Sequence, residues 1–335
     1  MTWQVGRRTL LAGMTGLATS LTFSKAFADG IPAKPESGGI KMGLEPWLGY
    51  GQWHVAAKKG FFKANGLDDV ELVNFTQDAD LNGALASGKL DTANVASHTA
   101  MAMAAAGLPI KIVLLLDASM TADAILTNGA ITSIAELKGQ SVAFEEGTTS
   151  DILLNYALAK NGMSIADINK VPMPAADAGT ALIAGRVPVA VTYEPYITLA
   201  KNQSSKVKLL FGAGEDPGLI SDVLVVREEF LSQRPGQIAA LVKTWDQALA
   251  FYRSNQTEGR AIISEAVGAK PEELATAFDG VKYFSLAENK TQLQGDYLHT
   301  VVPDVKAAAT KAGLLSKDID AEKLIDNRFV AAVAS

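Results

Sequence analysis

Apolar positions along the chain fall into short blocks separated by polar turns, and the blocks alternate between two periods. Residues 40–44, 70–75, 92–95 and 110–116 read as strands, the last a continuous apolar run of the kind buried on both faces of a sheet. Between them, 52–65, 80–87 and 98–106 carry helical spacing, with Gly66 and Gly107 placed to end two of those helices. The pattern then restarts: strands at 124–127, 141–144, 170–173, 187–192 and 207–211, with helices beginning at Ile134, Asp151, Asp177 and Pro195. A further strand at 221–226 leads into a helical region with segments 230–251, 257–267, 271–281 and 290–312. Strand–helix alternation predicts an α/β fold in which each lobe is a mainly parallel sheet flanked by helices, with ligands at the carboxyl ends of the strands.

The restart divides the chain. A leader at 29–39, rich in Pro and Gly, reads as flexible and precedes a first lobe at 40–118. A second lobe follows at 119–219, and 220–335 returns to the first lobe and adds C-terminal helices. The chain would cross between lobes twice, near 117–123 and 215–222. Two crossings make a hinge, because paired strands absorb small dihedral changes while both lobes stay rigid.

Residues 141–154 combine a buried strand, a glycine turn and a helix start at which Thr148, Thr149, Ser150 and Asp151 are all able to cap. Free N–H groups at such an end favour an anionic or carbonyl oxygen. Glu145 and Glu146 stand just before the turn and favour a cation instead. The two preferences conflict, and the ligand question starts there.

Composition narrows the class. The chain has 335 residues, 48% of them hydrophobic, which suits two lobes with sizeable cores. Arg7-Arg8, an uncharged run at 9–24 and Ala26-Phe27-Ala28 together read as a signal peptide cleaved after Ala28 and similar to a twin-arginine signal, with a general secretory route as the alternative. The mature chain is expected to be soluble in the periplasm, without a lipid anchor. Removing 1–28 takes away Arg7, Arg8 and Lys25 and no acid, so the formal charge moves from −6 to −9, which disfavours nucleic acid as a partner. With no cysteine there is no disulfide, thiolate nucleophile or Cys-ligated metal. Neither a cofactor nor a metal is expected.

The segments 56–62 (Ala-Ala-Lys-Lys-Gly-Phe-Phe), 86–91 (Ala-Ser-Gly-Lys-Leu-Asp), 117–119 (Asp-Ala-Ser), 134–143 (Ile-Ala-Glu-Leu-Lys-Gly-Gln-Ser-Val-Ala), 146–150 (Glu-Gly-Thr-Thr-Ser), 191–195 (Val-Thr-Tyr-Glu-Pro) and 222–227 (Asp-Val-Leu-Val-Val-Arg) stand in an order and spacing that carry a likeness. By them the chain resembles the periplasmic substrate-binding proteins of ABC importers, in particular the nitrate/sulfonate/taurine (NitT/TauT) group, over nearly the whole mature length. The resemblance implies a two-lobed periplasmic binding protein fold of type II, closure over a small molecule without chemistry on it, and delivery to an inner-membrane ABC permease, with the chain as a monomer.

Candidate ligand residues follow from position. Trp47 and Tyr50 lie in the aromatic loop after the first strand, where rings can face a cation or a flat ligand. Ser97 and His98 sit at a strand-to-helix turn, Asp117 and Ser119 at the first crossover, and Asp222 at the second. Glu146, Thr148 and Thr149 belong to the turn before the helix, and Glu194 follows an apolar strand. Asp78 reads first as a helix cap and second as a ligand group. Such a cleft holds carboxylates and aromatic faces and no cluster of lysine or arginine, so nitrate fits it poorly. A small nitrogen-bearing solute fits better: a taurine-like zwitterion with its anionic pole on the helix end, an amine or amidine, or a polar heterocycle. A pyrimidine precursor or an alkanesulfonate is the alternative cargo, and a sensor subunit or an enzyme on the same fold the alternative role.

Overall fold

The computed structural model describes residues 30–333, so the signal-peptide reading at 1–28 lies outside the described residues. The chain forms two sheets. The first is six-stranded: β1 (Ile40–Leu44), β2 (Val70–Asn74), β3 (Thr92–Ala96), β4 (Ile110–Ser119), β10 (Ser221–Arg227) and β11 (Val281–Tyr283), in the order β11-β4-β10-β3-β1-β2. The second is five-stranded: β5 (Asp123–Thr127), β6 (Ser141–Phe144), β7 (Asn169–Pro172), β8 (Val189–Tyr193) and β9 (Lys208–Gly212), in the order β7-β6-β8-β5-β9. The chain leaves the first sheet after Ser119, enters the second at Asp123, and returns between Gly212 and Ser221.

The two-lobed α/β architecture is the one read from the alternation of elements. Parallel pairing is confined to β2-β1-β3 and β7-β6-β8. Strands at the crossings run the other way: β10 is antiparallel to β3 and β4, and β5 is antiparallel to β8 and β9. A strand arriving from the other lobe enters from the cleft side, so its first residue, not its last, stands at the cleft. Asp222 and Asp123 reach the site in this way.

Some elements differ from the expectation. The helix read at 52–65 breaks at Gly60, whose φ of +74° suits glycine, into Gly51–Lys59 and Phe61–Ala64. Arg234-Pro235 splits the segment at 230–251, with Pro235 starting the helix Pro235–Ser254. The helix expected at 271–281 is instead a turn and β11, which pairs with β4 at the sheet edge. Residues 30–39 are tied to the first lobe: Ile31 is buried, and the Glu36 carboxylate accepts the N–H groups of Gly236 and Gln237 at the start of Pro235–Ser254.

Around the first sheet the core is continuous, with Trp53, Trp245 and Phe329 fully buried. Trp53 stacks on Phe62 and its Nε1 donates to Asn94 Oδ1 at 2.7 Å, which takes it out of the cleft. Among the described residues no helix is long and apolar enough to cross a membrane.

Candidate functional site

The β1 strand ends at Leu44, and the loop after it turns so tightly that a Cβ on Gly49 would lie about 2.0 Å from Trp47 Nε1 and 2.3 Å from Asp117 Oδ2. Only glycine fits there. The turn sets Trp47 against β4, where its Nε1 donates to Asp117 Oδ1 at 3.2 Å, and it sends the Tyr50 hydroxyl to Asp222 Oδ1 at 3.2 Å. From the second sheet, Tyr193 at the end of β8 meets the Trp47 ring edge-on at 5.8 Å, and Tyr196 meets Tyr193 at 5.3 Å. These rings close the space between the two sheets.

The cleft they enclose is lined by Glu45, Trp47, Tyr50, Asp78, Ala96, Asp123, Thr149, Tyr193 and Asp222. It is nearly closed, with a volume of about 20 Å³, whereas a groove of about 420 Å³ lies beside Tyr156 and Lys311. Asp117 lies directly behind Trp47, and Glu145 stands at the mouth with its carboxylate on the Ala175 N–H at 3.0 Å.

Six carboxyl groups thus converge with no lysine or arginine among the lining residues. Burial raises Asp78 to about 7, helped by the charges of Glu145 and Asp222. Burial likewise raises Asp123 to about 7, although the Ser119 and Thr149 hydroxyls oppose the shift, and Asp222 to about 6 against opposing hydrogen bonds from Asp117, Tyr50 and Trp47. Glu45 is pushed well above the usual range by burial, then by Asp78, Glu145 and Asp222. Asp117 rises by burial and by its neighbour Asp222, and Glu145 by burial. The buried His98 is no counter-ion: burial lowers it to about 4, so it is neutral at pH 7.

The structure brings Trp47, Tyr50, Asp117, Thr149 and Asp222 together and places the other candidates elsewhere. Ser97 is spent inside the first lobe, its Oγ 2.6 Å from the Tyr297 hydroxyl and 2.8 Å from the Ser221 carbonyl. His98 is buried against the backbone of Gly147 and Thr148, and Ser119 faces Asp123. Glu146 points outward and pairs with Lys170. Glu194 turns to the N–H and hydroxyl of Thr198 on its own helix.

The helix start is capped by Thr148. Thr148 Oγ1 accepts the Ser150 N–H at 3.2 Å and donates to the Glu145 carbonyl, while the Asp151 carboxylate takes the Gly147 N–H at 2.8 Å. Gly147, at φ +81°, makes the turn.

Three cleft acids, Glu45, Glu145 and Asp123, lie outside the ligand candidates read from the sequence, and Asp78 reads there first as a cap. Glu45 and Glu145 follow strands, Asp123 opens one, and Asp78 opens a helix without capping it. Strand ends at the cleft were the available signal. For Asp123 even that signal needed the direction of β5.

Comparison with known proteins places the chain. The profile of the NMT1/THI5-like family matches residues 50–259. A protein of Brucella abortus, described no further than as a binding protein, is 26% identical over 275 residues, covering 81% of this chain and 82% of that one. The alkanesulfonate-binding protein SsuA of Xanthomonas axonopodis pv. citri bound to MOPS has a similar structure, with TM-score 0.72, 19% identity, and coverage of 87% of this chain and 99% of that one. The periplasmic aliphatic sulphonate binding protein SsuA of Escherichia coli is similar at TM-score 0.71 and 21% identity, covering 87% and 98%.

Proposed function

This chain belongs to the NMT1/THI5-like family, and on that premise we propose that it is the periplasmic solute-binding component of an ABC importer, capturing a compact nitrogen-bearing cation, an amine or amidinium, by lobe closure and without chemistry on it. The observation that carries the ligand class is the composition of the cleft wall: Glu45, Asp78, Asp123 and Asp222 with Trp47, Tyr50 and Tyr193, and no basic side chain. A buried anion there would find no basic side chain to pair with, whereas a cation pairs with the carboxylates and lies on the ring faces.

The same wall gives closure its logic. Glu145 comes from the second sheet's side and faces Glu45 and Asp78 on the first; Asp123 comes from the second and faces Asp222. Two like unit charges 4 Å apart at an effective dielectric of 20 repel by about 4 kcal/mol. Each closing lobe therefore works against its partner until protons or a cation neutralise the space. Ligand contacts to both lobes then bias the hinge toward the closed form.

The likeness to sulfonate-binding proteins supports a second reading, an alkanesulfonate as cargo. Against it stands the cleft wall, which offers a sulfonate no basic side chain. Native mass spectrometry of the protein purified from its own periplasm separates the two: a retained small molecule with nitrogen and no sulfur is expected, and a retained sulfonate overturns the cation reading.

A further inference from the structure

Asp117 and Asp222 stand opposite each other in the antiparallel β4–β10 ladder, next to a register shift. Like charges so placed destabilise a sheet. Their surroundings differ. Asp222 lines the cleft and accepts the Tyr50 hydroxyl. Asp117 is fully buried, sits behind Trp47 and is absent from the cleft lining. Its Oδ1 takes the Trp47 Nε1 proton, and its Oδ2, lying over the Cα of Gly49, has no donor at all. An unpartnered, fully buried carboxylate oxygen beside a second carboxylate is costly if both are ionised. One proton between the two groups removes the cost, because the contact becomes a hydrogen bond only when one of them carries it.

We propose that Asp117 is the neutral member of this pair: it keeps the shared proton, donates it to Asp222, and through Oδ1 fixes the Trp47 indole, so that Asp222 is left as the carboxylate that meets the cationic ligand. Asp117 is then a positioning residue acting through Trp47 and Asp222. The assignment rests on the cation reading given above. Burial raises both groups, and the charge of Asp222 raises Asp117 further, in the direction the assignment requires. The other titratable groups around the pair are Glu45, Tyr50, Asp78 and Asp123, with Tyr283 behind. All are acidic or neutral, so no cation among them favours ionising both members of the pair.

The test uses calorimetry with acetamidinium chloride on the mature protein, for wild type and for Asp117→Asn, Asp117→Ala and Asp222→Asn, with melting curves as a folding control. Asn at 117 reproduces the neutral acid, accepting from Trp47 and donating to Asp222. Asp117→Asn should lose at least tenfold less affinity than Asp222→Asn and, unlike Asp117→Ala, keep the Trp emission where it is in the wild type. Asp117→Ala should weaken binding at least tenfold and shift the Trp emission, and Asp222→Asn should weaken it at least thirtyfold. If Asp117→Asn loses as much affinity as Asp222→Asn, Asp117 carries charge to the ligand and the assignment is wrong while the cation reading stands. If wild type binds sulfonates and no cation, the cation reading itself fails.

Discussion

Affinity for a small amidinium cation should rise at least tenfold between pH 5.5 and pH 8. Asp222 is raised to about 6, and Asp78 and Asp123 to about 7, so at the lower pH the ligand-free cleft holds protons that a cation must displace. Each proton released on binding multiplies the association constant by about ten per pH unit over the interval in which that group titrates. Affinity levels off only above about pH 8, past the values of Asp78 and Asp123. The sign for stability is opposite. A carboxyl whose folded value is raised binds more protons in the native than in the unfolded chain, so its contribution is full below about pH 4, the unfolded value, and is lost as pH rises through about 7. Without ligand, these groups should lower the melting temperature from pH 5 to pH 8; saturating cation should shrink that fall. Calorimetry and melting curves at constant ionic strength measure both. Binding that weakens with rising pH is the behaviour of an anion and would contradict the charge assignment.

Replacing Trp47 with Leu should weaken cation binding about thirtyfold. The ring lines the cleft, is held by Asp117 and meets Tyr193 across the lobes. Leu keeps apolar bulk but has neither a π-face nor an N–H donor. A desolvated cation–π contact is worth about 2 kcal/mol or more, and an edge-to-face ring pair about 1 kcal/mol. The loss should fall mainly on the dissociation rate, since Tyr193 no longer has its partner in the closed form. An affinity unchanged in Trp47→Leu would make the ring a packing residue only.

Much of this arrangement was legible in the order of residues. Strand–helix alternation and its restart near residue 119 reflect local periodicity, which survives folding. Trp47, Tyr50, Asp117 and Asp222 could be read because aromatics in one loop and acids at crossovers are unusual at those places. What escaped depended on partners far along the chain. β11 is an edge strand whose signal is its pairing with β4, not its own sequence. Asp123 faces the cleft because β5 runs antiparallel to β8. Of two adjacent glutamates at the turn after β6, Glu145 turns to the Ala175 N–H and Glu146 to Lys170, a difference that their sequence does not carry. Asp78 read as a cap because an Asp before a helical pattern usually is one, yet its helix has Gln77 at the N-cap and no side-chain cap bond. Thr148 could be read as a cap, and it takes the Ser150 N–H at the helix start.

The most direct test of the cation-closed cleft is titration calorimetry at pH 8 with guanidinium, acetamidinium and methylammonium chlorides beside taurine, ethanesulfonate and nitrate as sodium salts. At least one of the cations should bind a hundredfold more tightly than each of taurine, ethanesulfonate and nitrate. Tighter binding of ethanesulfonate or nitrate than of every cation would contradict the account.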